Sequence, residues 1–556
     1  MKSFRFIVVL CLVAAPVWAQ DLPEDPNAKP VFEVHGYIQN QTGIFVSPDV
    51  NKTATCTKCE PKQEFPASHG NKLGKLSMLR NTFQVETDWR PIHQLTLHAS
   101  FRGVLSAPLS VDRDAQVPVP GYLQDPQKRV QWVHENFYNL ADLREFYFDI
   151  RPHDIISFRV GRQLVSWGES GNYRLLDVIN PTDSSWHFGP LEAWEDQRIP
   201  LWMVRALVDI PPLQGGLEIV WVPMIPFIER PKDTVTFPLT FVGAWGLPPP
   251  PEQGDVSVMP RKIHEKHFMY PEQHPRNSRV GVRWKGEIGN HFGYTLAYYY
   301  GHQLTPPVPE YYVTGGSEFS GVDVFVGYPR QHQVGFAIET NAPFPASTMI
   351  RIEGLIEPDR TYPVSSLTPQ RMEPDADYGH RFIFASKKEL TINYAVTLQQ
   401  PAMIRALNPT DPVIIALQFA HTIVPGVKDL TDDECGNPNL GFCLLDIPGY
   451  DSTRTRKHKY RLSASIFTSY LNGLLTPKIV VTWLPSHDWE HRRWAGSRMW
   501  LPVSNSGFVS LQLAISPSDN WRINLALTEF WGNKAYHGLG FFRDRDEINL
   551  RIRYQF

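Results

Sequence analysis

The densest stretch of reactive side chains runs from residue 166 to 200. Glu169, Arg174, Asp177, Asp183, Glu192, Glu195, Asp196 and Arg198 are mixed there with Trp167, Tyr173, Trp186 and Trp194. Opposite charges interleaved with aromatic rings can pair and stack with one another and with a facing wall. Catalysis fits the chain poorly. A nucleophile needs a base and an orienting group within reach, yet there is no Gly-x-Ser-x-Gly, and none of the 19 histidines falls at a matching spacing. His264, His267 and His274 share one loop, where histidines are ordinarily solvated rather than ligands. The expectation is no catalytic residue, no cofactor and no resident metal.

The cysteines point to export rather than chemistry. Cys11 lies in the leader, and the others form two local pairs, Cys56/Cys59 and Cys435/Cys443. In an exported chain these are expected to close two small disulfide loops. A single CxxC lacks the second pair of a zinc site, and Glu60 follows Cys59 where a c-type haem site needs His.

The elements around the charged stretch are strands. In the segment near 154–165, Ser157, Arg159, Gly161 and Gln163 share one face, and Phe158 and Val160 the other. Arg162 falls on the apolar parity, which is costly against lipid. Either a bulge at Gly161 turns it inward, the favoured reading, or it sits at a rim. The same period of two runs through LTLHASFR, LREFYFDI, WMVRALVDI, RVGVRWK and the terminal NLRIRYQF. Eighteen such segments run from 31–47 to 545–556, those at 322–340 and 381–398 being the weakest.

The connections alternate. RPIH, RPHD, PPLQGG, NAPFPAS, LNGLLT and SPSDN are short and rich in turn residues, whereas every other connection is longer. The Pro-rich stretch 225–277 is one of the long ones. Such alternation makes one plain rim and one elaborated rim. The fold class is therefore all-β: a single transmembrane antiparallel up-and-down β-barrel of about 18 strands, with short periplasmic turns and long extracellular loops. The tetrapeptide NPTD occurs at 180–183 and 408–411 and reads as a Pro-centred turn in both places.

Residues 1–19 read as a signal peptide, with Lys2 and Arg5 ahead of the apolar run Phe6–Val13 and the pattern Val17-Trp18-Ala19 before the cut. Residues 20–30 then form a periplasmic segment, and 31–556 the barrel. The expected location is the outer membrane of a Gram-negative bacterium, with outer-membrane lipid as surroundings. Phe556 closes the last strand and resembles the signal read by the barrel-assembly machinery. The net charge of −3, or −5 without Lys2 and Arg5, gives no support for a nucleic-acid partner.

GRQLVSWGES, then LDVINPTD, an acidic stretch, an Arg and a strand opening Pro-Leu together resemble the signature of a proteobacterial outer-membrane family catalogued as domain of unknown function 1302. The specific match covers residues 159–205, and elsewhere only the barrel pattern is shared. The resemblance implies an outer-membrane location and a transport role. It also implies association with a periplasmic partner and an inner-membrane transporter in lipid or hydrophobic-compound handling.

The functional expectation is a porin-like channel for a hydrophobic or anionic solute. The stretch near 166–200 is expected to fold into the lumen and narrow it, paired with Glu145, Arg159 and Arg205. The alternative is an outer loop held by its own salt bridges. The sampled inward set carries eleven basic residues against seven acidic ones, a mild anion preference, although cross-strand pairing is the commoner role for such charges. Two other readings are a barrel sheathing a multihaem cytochrome, whose haem would belong to the partner, and an outer-membrane lipase.

Overall fold

A computed structural model of the chain describes residues 32–47, 73–92, 94–107, 139–171, 173–182, 187, 191–224, 271–289, 292–303, 328–342, 348–365, 386–427, 456–485, 505–532, 539, 542 and 545–556, with the backbone of short strands at 53–55, 64–66, 263–269, 308–314, 321–327, 371–375, 379–383, 443–444, 489–494 and 497–502. The leader, the periplasmic segment, Cys56, Cys59, Cys435 and Asp183 lie outside these residues, and Cys443 is described by its backbone alone.

Eighteen strands form one antiparallel ring. They are β1 (Phe32–Phe45), β2 (Leu76–Ile92), β3 (Leu95–Ser106), β4 (Leu140–His153), β5 (Ile156–Gln163), β6 (Leu201–Ile210), β7 (Gly215–Val222), β8 (Arg279–Ile288) and β9 (Phe292–His302). They continue as β10 (Arg330–Ala342), β11 (Thr348–Ser365), β12 (Ser386–Ala402), β13 (Val413–Ile423), β14 (His458–Phe467), β15 (Leu475–Pro485), β16 (Asn505–Ser518), β17 (Trp521–Gly532) and β18 (Glu547–Gln555). Each pairs with its sequence neighbours, and β18 pairs with β1 over Tyr37↔Gln555 to Phe45↔Glu547. Closure removes the free edges that could not be satisfied in hydrocarbon.

The seam is tight. Gly36 and Phe556 exchange two backbone hydrogen bonds of 3.0 Å. A Cβ at Gly36 would lie 2.5 Å from the Gln84 carbonyl oxygen and 2.7 Å from the Phe556 ring. Only glycine admits the terminal aromatic there.

The outward stripe is apolar. Phe83, Phe101, Phe148, Phe158, Leu417, Leu462, Ile479 and Leu511 are all exposed on it. Such a girdle is stable only against lipid, so the ring spans a membrane. Two expected strands are corrected: the 381–398 segment opens in a separate strand, Gly379–Ile383, and only its later part lies in β12. The 322–340 segment splits into β10 and a separate strand, Gly321–Gly327, which joins a five-stranded sheet with 263–269, 308–314, 379–383 and 371–375. All five belong to the long connections.

The expected bulge at Gly161 is also corrected. Pairing of β5 runs without a break through Gly161 on both sides, with Arg162 opposite Phe146 and Trp202. A register shift falls instead between Ser100 and Phe101, which pair with Glu145 and Leu143 and leave Arg144 as the extra residue. Arg162 therefore keeps the outward parity, one residue from the end of β5. Its guanidinium donates to both oxygens of Asp142, at 2.7 and 3.0 Å, and to the Leu143 carbonyl at 2.7 Å. That fork satisfies the charge without turning it into the lumen.

Candidate functional site

The chain leaves β5 at Gln163 and returns at Leu201, and between them it contacts inward-facing side chains around much of the ring. Local bonds first set its shape. Asp177 Oδ1 accepts from the backbone N–H of Trp167 (3.0 Å) and Gly168 (2.8 Å) and from the Ser166 hydroxyl (2.9 Å). Its Oδ2 accepts from the Trp194 indole at 2.7 Å. Asn180 accepts from the Val165 N–H at 2.8 Å and donates to the Gln163 and Ile199 carbonyls. Arg198 donates to the carbonyls of Asp177 and Asn180. The residues of SWGES and LDVINP thus stitch the stretch to itself. Asn180 ties both ends of the excursion together, a larger role than the simple turn expected of it. The second NPTD behaves as expected, with Asn408 Oδ1 accepting from the N–H of Thr410 and Asp411.

Residues 165–179 then pack on one arc of the wall. Trp167, Leu175, Leu176 and Ile179 form a buried cluster with Met203, Val220, Tyr299, Leu355, Ala395 and Ala420. The wall is small where the segment presses on it. A Cβ at Gly281 would come within 2.6 Å of the Trp167 ring, and one at Gly335 within 2.6 Å of Leu176 Cδ2. Glu353 sits among these small residues, paired across strands with Ala337 and Ala395. Its Oε1 accepts from the backbone N–H of Glu169 and Ser170, both 2.7 Å, and its Oε2 from that of Leu175 at 2.9 Å. Gln418 on β13 holds the Tyr173 backbone from both sides, at 3.0 and 3.1 Å. Lys285 meets the Glu169 carboxylate at 2.5 Å, and Arg351 donates to the Glu169 carbonyl.

The acidic end meets the other arc. Arg80, Gln41 and Arg551 lie in one register row across β2, β1 and β18. The Glu192 carboxylate caps that row, accepting from Arg80 (2.7 Å), Gln41 (3.1 Å) and Arg551 (2.6 Å). Asp196 pairs with Arg102 at 2.5 Å, and Arg144 donates to the carbonyls of Glu195 and Arg198. Arg80, Arg102, Glu192 and Asp196, with Tyr37, Gln39, Thr82, His187 and Gln197, line a cavity under the segment. Burial works against the charge of Glu192, but Arg80, Arg551 and His187 outweigh it and hold the carboxyl well below the usual range.

His187 bridges two carboxylates, with Nδ1 2.8 Å from Glu192 and Nε2 2.9 Å from Glu547. Burial opposes its protonation, but the Glu547 and Glu192 carboxylates prevail and raise it to about 9. A pKa raised above 6.5 means stabilisation present in full below about pH 6.5 and lost as the pH climbs through about 9. The loss is on the order of 3 kcal/mol. Tryptic cleavage within 164–200 is therefore expected to accelerate from pH 7 to pH 10, and His187→Asn to flatten that profile. A pH-independent wild-type rate would overturn the expectation.

The partners expected from sequence are partly corrected. Arg159 pairs with Asp149 on β4, at 2.7 and 2.8 Å, and Arg205 with Glu218 on β7 at 2.5 Å, so both serve the wall. Glu145 does meet the segment, accepting the Leu164 N–H at 2.8 Å. Glu169 and Asp196 reach wall residues, whereas the side chains of Asp177 and Arg198 bond within the segment. Arg174 lies 5.3 Å over the Trp194 ring. Sequence reading placed Glu353 among the inward-facing residues without its role as an anchor, and missed Gln418, Gln41, Arg80, Arg144, Asn180, His187 and Glu547. Apart from Asn180 and His187, each sits on a wall strand, and an inward polar residue on the alternating pattern was the only signal available.

The ring and the segment within it define a transmembrane β-barrel that carries a stretch of its own chain inside. The chain belongs to the family described as protein of unknown function (DUF1302), whose model matches residues 46–213 and 249–556. A search of the curated proteins finds no match. Among solved structures it is similar to Acinetobacter baumannii OccAB3, at 8% identity over 94% of this chain and 99% of that one, with a TM-score of 0.46. It is also similar to Pseudomonas aeruginosa OpdK with vanillate, at 7% identity over 94% and 98%, TM-score 0.44. Pseudomonas aeruginosa OccK5 (OpdH) matches at 9% identity over 94% and 97%, TM-score 0.43.

Proposed function

We propose that the protein is an outer-membrane channel of a Gram-negative bacterium whose lumen is constricted by residues 164–200. One observation carries the reading: Glu353 and Gln418 hold the segment on one arc, while Arg80, Arg102 and Arg551 hold it on the other. A barrel of this strand number leaves an aqueous lumen unless something fills it. A held segment narrows that lumen and gives it chemical selectivity. The segment also takes up room that a cytochrome sheath would need, which favours the channel.

The solute class that fits is hydrophobic or anionic. The support for an anionic solute is the excess of basic over acidic residues in the sampled inward set, eleven against seven. Passage coupled to a periplasmic partner and an inner-membrane transporter belongs to the same reading. Purified protein in planar bilayers is expected to give small, discrete conductance steps, with a reversal potential on the anion side in a salt gradient. Absence of steps at high protein load would overturn the channel, and a cation-side potential would overturn the anion preference.

A further inference from the structure

The short-turn rim carries a donor set that the channel reading does not use. Glu33 and His35 on β1 face Asp88 and Glu86 on β2, as the pairs Glu33↔Asp88 and His35↔Glu86. Asp88 in turn faces His98 on β3. All five share the inward parity of Tyr37. One donor atom from each of Glu33, His35 and Asp88 lies within 4.8 Å of the others. His35 Nε2 is 3.8 Å from Asp88 Oδ2, and His98 Nδ1 is 2.9 Å from Asp88 Oδ1.

Two carboxylates placed directly opposite each other repel. Arg90 offsets one of them, reaching the Glu33 carboxylate at 3.3 and 3.5 Å. Glu86, beside Asp88 on the same face, adds a third negative group. A divalent cation between Glu33 and Asp88 would relieve that repulsion. The imidazole selects its class, because hard cations such as Mg²⁺ and Ca²⁺ take oxygen donors, whereas nitrogen with carboxylate oxygen suits zinc and its neighbours. Metal bonds of about 2.0–2.2 Å draw donor atoms closer than they stand here. His35 is exposed and can swing to close the gap. His98 cannot, since its ring stacks on Tyr147 with centroids 4.6 Å apart. A fixed imidazole bonded to a ligating carboxylate is the outer support such sites use.

We infer that Glu33, His35 and Asp88 bind a divalent transition-metal ion at the short-turn mouth, with His98 positioning the Asp88 carboxylate. The ion would staple β1 to β2 one residue from the Gly36–Phe556 seam.

The test is calorimetric titration of tag-free, oxidised full-length protein with Zn²⁺ in excess Mg²⁺, repeated with Co²⁺ and read by its visible absorption. The wild type and His274→Asn, a loop-histidine control, are expected to show one tight equivalent and a ligand-field band. His35→Asn should lose both. His98→Asn should keep the stoichiometry but bind roughly 10–100-fold more weakly. Heat-modifiable gel migration confirms that each variant is a folded barrel, and Glu33→Gln replaces any variant that is not. No tight equivalent in the wild type, or one that survives both His35→Asn and Glu33→Gln, would overturn the site.

Discussion

Removal of Gly171–Trp194, with the ends joined by a short Gly/Ser linker, is expected to raise single-channel conductance several-fold. The deletion takes out the Tyr173 backbone held by Gln418, the Leu175–Ile179 cluster and the Glu192 carboxylate over Arg80 and Arg551. The ring does not depend on them, because all eighteen strand pairings are backbone ladders outside the deleted stretch. The variant should therefore still migrate as a heat-modifiable barrel while conducting through a wider lumen. It should also expose Arg80 and Arg551, which Glu192 now neutralises, so anion selectivity should rise with conductance. A folded variant with wild-type conductance would show that the segment is no constriction.

The second large effect is expected from one wall residue. Glu353 is fully buried, and its carboxylate accepts three backbone N–H groups of the segment. Glu353→Ala leaves those donors without a partner. Each buried orphan costs about 1–3 kcal/mol, so the three together cost at least about 3 kcal/mol. At roughly tenfold for every 1.4 kcal/mol, the released state of the segment gains more than two orders of magnitude in population. The expected readouts are a noisier open-channel current and faster tryptic cleavage at Arg174, with unchanged heat-modifiable migration. Glu353→Gln keeps one oxygen acceptor but turns an amide donor toward an N–H, so it should fall between alanine and wild type. Cleavage and current noise unchanged in both variants would show that Glu353 does not anchor the segment.

The two effects differ in kind. The deletion removes the obstacle, whereas Glu353→Ala leaves it present but loosely held. A current that flickers between a wild-type level and the level of the deletion variant would connect the two, since it would show the released segment clearing the same passage.

What the sequence determined by itself was everything that depends on near neighbours. Alternation of period two marked the strands, because successive side chains on a strand point to opposite sides. The short connections fixed antiparallel pairing and an even ring, and the apolar outward stripe fixed lipid as its surroundings. The 166–200 stretch stood out because it mixes opposite charges with aromatic rings. The tertiary structure decided which wall residues hold that stretch. His187 and Glu547 are 360 positions apart, Glu192 and Arg551 are 359 apart, and Glu169 and Glu353 are 184 apart. No local pattern encodes such pairs, because they exist only once eighteen strands have closed and set their registers. The same registers explain why Arg159 and Arg205 were unavailable to the segment. A carboxylate on the adjacent strand, Asp149 for one and Glu218 for the other, reaches each first and spares it an unpaired charge inside the barrel.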